Sequence, residues 1–129
     1  MVFSSASKVR LIDEALADEL FGLQKDADIT CMQQQIWREM RDGIGPDLEK
    51  ALAGAPEDLR THLHRIRGYC SSCALSRLEK LLLAWESEPV IAEAAERYAA
   101  LARETASLSI AAIETRYPQL KTARGKTSR

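Results

Sequence analysis

The sequence has no run of about 18 apolar residues, so no helical membrane span is expected. The opening stretch MVFSSASKVRLIDE lacks the apolar core of a secretory signal. Three cysteines are an odd count for a disulfide scaffold. A net charge of −1 gives no global pull toward nucleic acid or membrane surfaces. There is no Ser/His/Asp set, no Gly-rich phosphate loop and no carboxylate pair with an evident cleft, so a conventional enzyme is not expected. Internal repeats and low-complexity blocks are absent as well. β-Branched residues are sparse, and Ala, Leu, Glu and Arg dominate. That composition favours helix almost everywhere. With 46% hydrophobic residues, the 129-residue chain fits one domain with one sizeable core in a cytoplasmic setting.

The apolar spacing predicts a chain of helices. Val9, Ile12, Leu16, Leu20 and Leu23 recur at helical intervals in SASKVRLIDEALADELFGLQ, with Ser7 as its cap. QKDADIT then reads as a connector. A second helical stretch runs from about Thr30 to Ala53, with Met32, Ile36, Met40, Leu48 and Leu52 facing inward. Gly43, Gly45 and Pro46 predict a kink or short break in it. Pro56 suits a first helical position, and Glu57 and Asp58 complement the positive end of a third helix. ALSRLEKLLLAWE forms a fourth helix, ending before Pro89. The fifth runs from about Glu88 to Tyr117, with Ile91, Ala94, Tyr98, Leu101, Thr105, Leu108 and Ala112 as its seam, and Pro118 stops it. Short connections make consecutive helices antiparallel neighbours. The expected architecture is all-α: an up-and-down antiparallel four-helix bundle with an additional N-terminal helix. In domain terms, residues 1–29 are an accessory helix and connector, 30–117 the bundle, and 118–129 a basic, disordered tail.

The chemistry concentrates in HLHRIRGYCSSC, residues 62–73, which hold both histidines and two of the cysteines. With residues 57–77 taken as one helix, Leu59, Leu63, Ile66, Cys70 and Cys73 form a core stripe. His62 and Tyr69 lie at its edge, where His62 is expected to pack and hydrogen-bond a neighbour such as Tyr69. His64 points to water, and its half of the helix carries Arg60, Thr61, Arg67, Gly68 and Ser71. Neighbouring cations disfavour a further positive charge and favour a neutral, nucleophilic ring. They also attract anions. Glycine within a helix costs about 1 kcal/mol relative to alanine, and at Gly68 it clears space beside the histidine. An exposed histidine with a cation and no bulk around it suits approach by another protein.

HRIRGYCSSCALSRLE resembles the signature of histidine-containing phosphotransfer (HPt) domains. That signature is His, any residue, an apolar residue, Lys, Gly, then small residues, followed by a helix carrying Leu-Glu. His64 matches the phosphoacceptor, Ile66 the apolar position and Gly68 the glycine, while Arg67 takes the place of the lysine. Cys73 and Ala74 fall at the later apolar and small positions, and Leu78 and Glu79 match the Leu-Glu. Tyr69 stands where the family prefers a small residue, on the side away from His64. The resemblance spans roughly residues 30–116. It implies a phosphocarrier without autonomous kinase activity. His64, through Nε2, would take a phosphoryl group from a receiver-domain aspartate and pass it to another. Arg67 would neutralise phosphoryl charge, and Arg60, Thr61, Gly68 and Ser71 would meet the partner. The implied partners are response-regulator receiver domains and a hybrid sensor histidine kinase, with no nucleic acid and no membrane. No cofactor of its own is implied, since the receiver supplies Mg²⁺.

Other chemistries fit the same residues less well. Zinc is disfavoured because His64 stands about 120° from Cys70 and about 180° from Cys73 on the helix, and His62 is about three turns from Cys73. No metal ligands are therefore expected. Cys70 and Cys73 are one turn apart but lie on the apolar stripe, which favours packing over redox chemistry. Trp37 and Trp85 read as core or docking residues, and the acidic pairs Asp13-Glu14, Asp18-Glu19 and Glu86-Glu88 as solvated faces. The alternative function is a non-transferring module that binds and blocks a receiver or histidine kinase.

Overall fold

The computed structural model describes residues 9–121, and Ser7 and the tail beyond Lys121 lie outside them. The described residues form α-helices, one short 3₁₀ turn and no strand. The helices are α1 (Glu14–Phe21), α2 (Ala27–Ala53), α3 (Leu59–Ser72), α4 (Ser76–Glu86) and α5 (Ile91–Arg116), with the 3₁₀ turn at Pro56–Asp58 leading into α3.

Paired positions show that the helices pack antiparallel in a bundle. On α2 and α5, Arg41 bonds Glu114 while Glu49 bonds Arg103. On α3 and α4, Arg67 bonds Glu86 while Ser71 bonds Glu79. Tyr69 of α3 lies against Gly43 of α2, and His62 lies near Gly54. One core runs through the whole, from Ile12 and Phe21 to Trp37, Leu63, Leu82, Trp85, Tyr98 and Leu120.

Four expectations about the helices are corrected. The N-terminal helix starts at Glu14, not near Ser7, because Asp13 caps it by accepting from the Leu16 N–H. The preceding backbone is already satisfied by the α3–α4 corner: Arg77 donates to the Val9 carbonyl, Ser76 to the Arg10 carbonyl, and Asp13 N–H to the Ala74 carbonyl. Ile12, Ala17 and Phe21 of this segment are buried in the same core as residues of the later helices.

The second correction concerns α2. It begins at Ala27, capped by Asp26, and runs unbroken through Pro46. Proline removes one helical hydrogen bond, but Ile44, Leu48 and Ala51 are buried on both sides of it and hold the helix in place. Its inward face is the expected one at Leu48, with Met40 and Leu52 half-buried against the core, but differs in the first half of the helix. Trp37, Ile44, Leu48 and Ala51 are buried, whereas Met32 is 61% and Ile36 45% exposed.

The third concerns α3, which stops at Ser72 and does not run on to residue 77. Ala74 takes a left-handed φ of 64°, and Leu75 N–H reaches back to the Cys70 carbonyl. That is the Schellman stop, usually made by glycine, here made by alanine. The fourth concerns α5. Ala94, Tyr98 and Thr105 are buried as expected, but later positions shift to Ala106, Ser109 and Ile113, and Leu108 is exposed. A straight helix drifts about 20° per heptad against a strict seven-residue repeat, enough to rotate Leu108 outward.

The chain end is less loose than expected at its start. Leu120 is buried, and Gln119 donates to the Phe21 carbonyl. No helix of the described residues is long and apolar enough to cross a membrane.

Candidate functional site

The inward stripe of α3 is the one its periodicity predicts: Leu59, Leu63, Ile66 and Cys70 are buried, as is Cys73 just past the helix end. Burying these residues fixes the rotation of the helix and turns His64 outward. Arg67, one turn on, comes to the same face and places its Nη2 3.0 Å from His64 Nδ1. A Cβ built at Gly68 would meet nothing within 4 Å. Packing among the described residues therefore gives no reason for a glycine there.

The acid beside this pair comes from α4. Glu86 accepts from Arg67 Nε at 2.9 Å, and only 9% of its side chain is exposed. Arg60 adds a bond to the Glu86 carbonyl at 3.3 Å, a cation placed at the C-terminal end of α4. Ser71 donates to Glu79 at 2.8 Å. Leu83 lies between Glu79 and Glu86 on the face of α4 turned to this site, and is 41% exposed. Thr61 is exposed on the same side of α3 as Arg60. Thus His64, Arg67, Gly68, Ser71 and Arg60 share one face as expected. Glu79, Leu83 and Glu86 complete it from the neighbouring helix.

The reading of Glu86 and Glu88 as a solvated acidic cluster is corrected. Glu86 is held by Arg67, and Glu88 accepts from Tyr98 at 2.9 Å and Arg97 at 2.8 Å. Asp13 and Asp18 are also structural: Asp13 caps α1, and Asp18 accepts from Tyr117 and Arg116, with the Arg116 bond holding its carboxyl below the usual range. The Asp13 cap is local, whereas register between helices brings Asp18, Glu86 and Glu88 to their partners, and their local sequence carries no signal of it.

His62 takes the other side of α3. It is half-buried, and its Nδ1 is enclosed without a hydrogen-bond partner. The expected bond to Tyr69 is not made; the Tyr69 hydroxyl is turned toward Asp47 of α2. Burial and the Asp47 carboxylate raise the Tyr69 hydroxyl above its ordinary range. The Tyr69 ring rests against Gly43, where an added Cβ would come within 3.4 Å of it.

Cys70 and Cys73 are both buried free thiols, while Cys31 is exposed. Burial pushes the Cys70 thiol up and the Cys73 thiol up to about 12. Such thiols are poor nucleophiles and poor metal ligands. No group of three or more His, Cys, Asp or Glu among the described residues could hold a metal ion. Trp37 and Trp85 are fully buried, one against Phe21 and the other stacked on Tyr98.

No family model, curated protein or solved structure matches the chain. Any functional reading therefore rests on the face just described and on the resemblance of its residues to the HPt signature.

Proposed function

We propose that this chain is a phosphorelay intermediate of the HPt type. His64 accepts a phosphoryl group on Nε2 from the aspartyl phosphate of a receiver domain and passes it to the aspartate of another. The observation that carries this reading is the open face around His64: an outward ring, a guanidinium 3.0 Å from it, and a glycine over which nothing among the described residues packs. Glycine inside a helix costs about 1 kcal/mol without a packing return. Room for a partner's loops accounts for that cost.

Each residue has a role in this reading. Arg67 balances charge on the phosphoryl group in flight, since such transfers rely on positioning and electrostatics. Gly68 and Ser71 leave the approach clear. Arg60 and Thr61 border the docking area, and Leu83 supplies exposed apolar surface on the neighbouring helix. The receiver brings the acidic residues and Mg²⁺, so the reacting site is complete only in the complex. Helices α2 to α5 form the four-helix bundle of the family, with α1 as the added N-terminal helix. The setting is cytoplasmic, where receivers and the hybrid kinases that carry them act.

The test is phosphotransfer from a panel of phosphorylated receivers with Mg²⁺, comparing wild type with His64→Gln and His62→Gln. Acid-labile, base-stable label is expected on wild type and His62→Gln and not on His64→Gln. Measurable binding to receivers with no label from any of them would replace this reading with that of a blocking module. Label lost only with His62→Gln would move the chemistry to the other histidine.

A further inference from the structure

Arg67 makes a contact that charge neutralisation does not explain. Its Nη2 lies 3.0 Å from His64 Nδ1, while its Nε donates to Glu86. A guanidinium stays protonated and offers only donors, so Nδ1 must be the acceptor. A neutral imidazole that accepts at Nδ1 carries its single proton on Nε2. The Nε2 lone pair is then taken up by that proton, and the Nδ1 lone pair points at Arg67. Neither nitrogen is free to attack phosphorus.

We infer that Arg67 latches His64 in an unreactive tautomer, and that the phosphoryl group of an incoming acyl phosphate opens the latch by drawing the guanidinium off Nδ1. The opening step rests on the relay reading above; the latched tautomer does not. Glu86 is the positioning residue. Its mostly buried carboxylate anchors Arg67 through Nε and leaves the far end of the fork to pivot between the ring and an anion. This gives arginine a purpose at a position where the signature has lysine: a fork can hold Glu86 and the ring at once, and a single ammonium is a point charge without that geometry.

The chemistry balances without a further reactant. Once released, Nδ1 takes a proton from solvent and Nε2 gives one up, with no net change. The Nε2 lone pair then forms the N–P bond as the bond from phosphorus to the aspartyl oxygen breaks. The electron pair of that bond leaves with the carboxylate, and the Nδ1 proton of the phosphoimidazolium is lost to solvent.

Two measurements on the isolated folded chain test the latch. Nitrogen NMR of the His64 ring, at about pH 8 where an ordinary imidazole is neutral, is expected to show the proton on Nε2 and a hydrogen-bonded, unprotonated Nδ1. A proton resident on Nδ1 overturns the inference. The second is carbethoxylation of His64 by diethyl pyrocarbonate, a neutral electrophile, followed by mass spectrometry at the same pH. Arg67→Ala is expected to react about three- to tenfold faster than wild type, the rate equivalent of one net hydrogen bond. Because that variant leaves Glu86 without its partner, Arg67→Ala/Glu86→Gln is measured beside it and is expected to match. Equal or slower reaction in the double variant overturns the latch. Inorganic phosphate, compared with chloride at equal ionic strength, is expected to speed wild type and not the variants; no acceleration overturns the trigger. A latched ring with no phosphotransfer would sink the relay reading and the opening step that rests on it while leaving the latched tautomer, and transfer with an unlatched ring would sink this inference alone.

Discussion

Helix α3 and the first half of α2 bury opposite kinds of residue. On α3 the covered face is Leu59, Leu63, Ile66 and Cys70. On the first half of α2 it includes Gln33 and Gln34, while Ile29, Met32 and Ile36 stand exposed. The cause is what each helix meets. α3 lies between α2 and α4, so its inner side meets side chains. α2 pairs with α3 through Gly43, Asp47 and Gly54, and its first half faces the ends of other elements. Such ends present backbone carbonyls that need donors. Gln33 donates to the carbonyls of Leu20 and Gly22, and Gln34 to that of Gln119. Long amides are buried there because they reach those carbonyls, and the apolar stripe beside them is left over.

The comparison breaks most readily at Trp37, the residue next to exposed Ile36. Trp37 is fully buried, edge-on to Phe21, and donates to Glu114 at 3.0 Å. Trp37→Ala is expected to cost about 3–5 kcal/mol in urea unfolding, and Ile36→Ala less than about 1 kcal/mol. Equal costs would mean that the first half of α2 is rotated from the arrangement described.

A smaller effect separates two glutamines on the same helix. Gln33→Ala removes donors from two carbonyls and is expected to cost about 1 kcal/mol. Gln35, exposed and 3.4 Å from Glu39, is expected to change stability by less than about 0.5 kcal/mol on truncation to alanine. If the two variants unfold at the same urea concentration, the Gln33 bonds do not hold α1 to α2.

These contrasts show which features the sequence makes legible. The stripe of α3 and the outward turn of His64 follow from spacing because one helix side is continuously apolar and covered. The Arg67–His64 contact follows from their three-residue spacing on that face. Glu86 could not be found this way, because its meeting with Arg67 depends on the register of α4, set by the corner at residues 73–75. That corner was hidden too, since Ala74 occupies a left-handed position where glycine is the usual signal. Asp13 caps α1 from inside an apolar spacing that runs back to Val9, so that spacing does not mark where the helix starts. For α2, Met32 and Ile36 carried a true helical period in the wrong phase. Only the placement of α1 and the chain end decides that phase.

The one substitution expected to raise stability is the one that bears most on function. Gly68 lies in α3, and an alanine methyl there would meet nothing within 4 Å among the described residues. Gly68→Ala is therefore expected to stabilise the fold by up to about 1 kcal/mol, through helix propensity and a less mobile unfolded chain. For a face that serves only solvent, the substitution would be a gain without loss. For a face that receives a partner, the methyl intrudes beside His64 where the receiver's loops must come. The relay reading thus predicts a variant with a raised urea midpoint and slower phosphotransfer, with the loss growing from Ala to Leu at this position. Stabilisation with undiminished transfer would show that the glycine makes no room for a partner. Destabilisation would show that the space above it is not open.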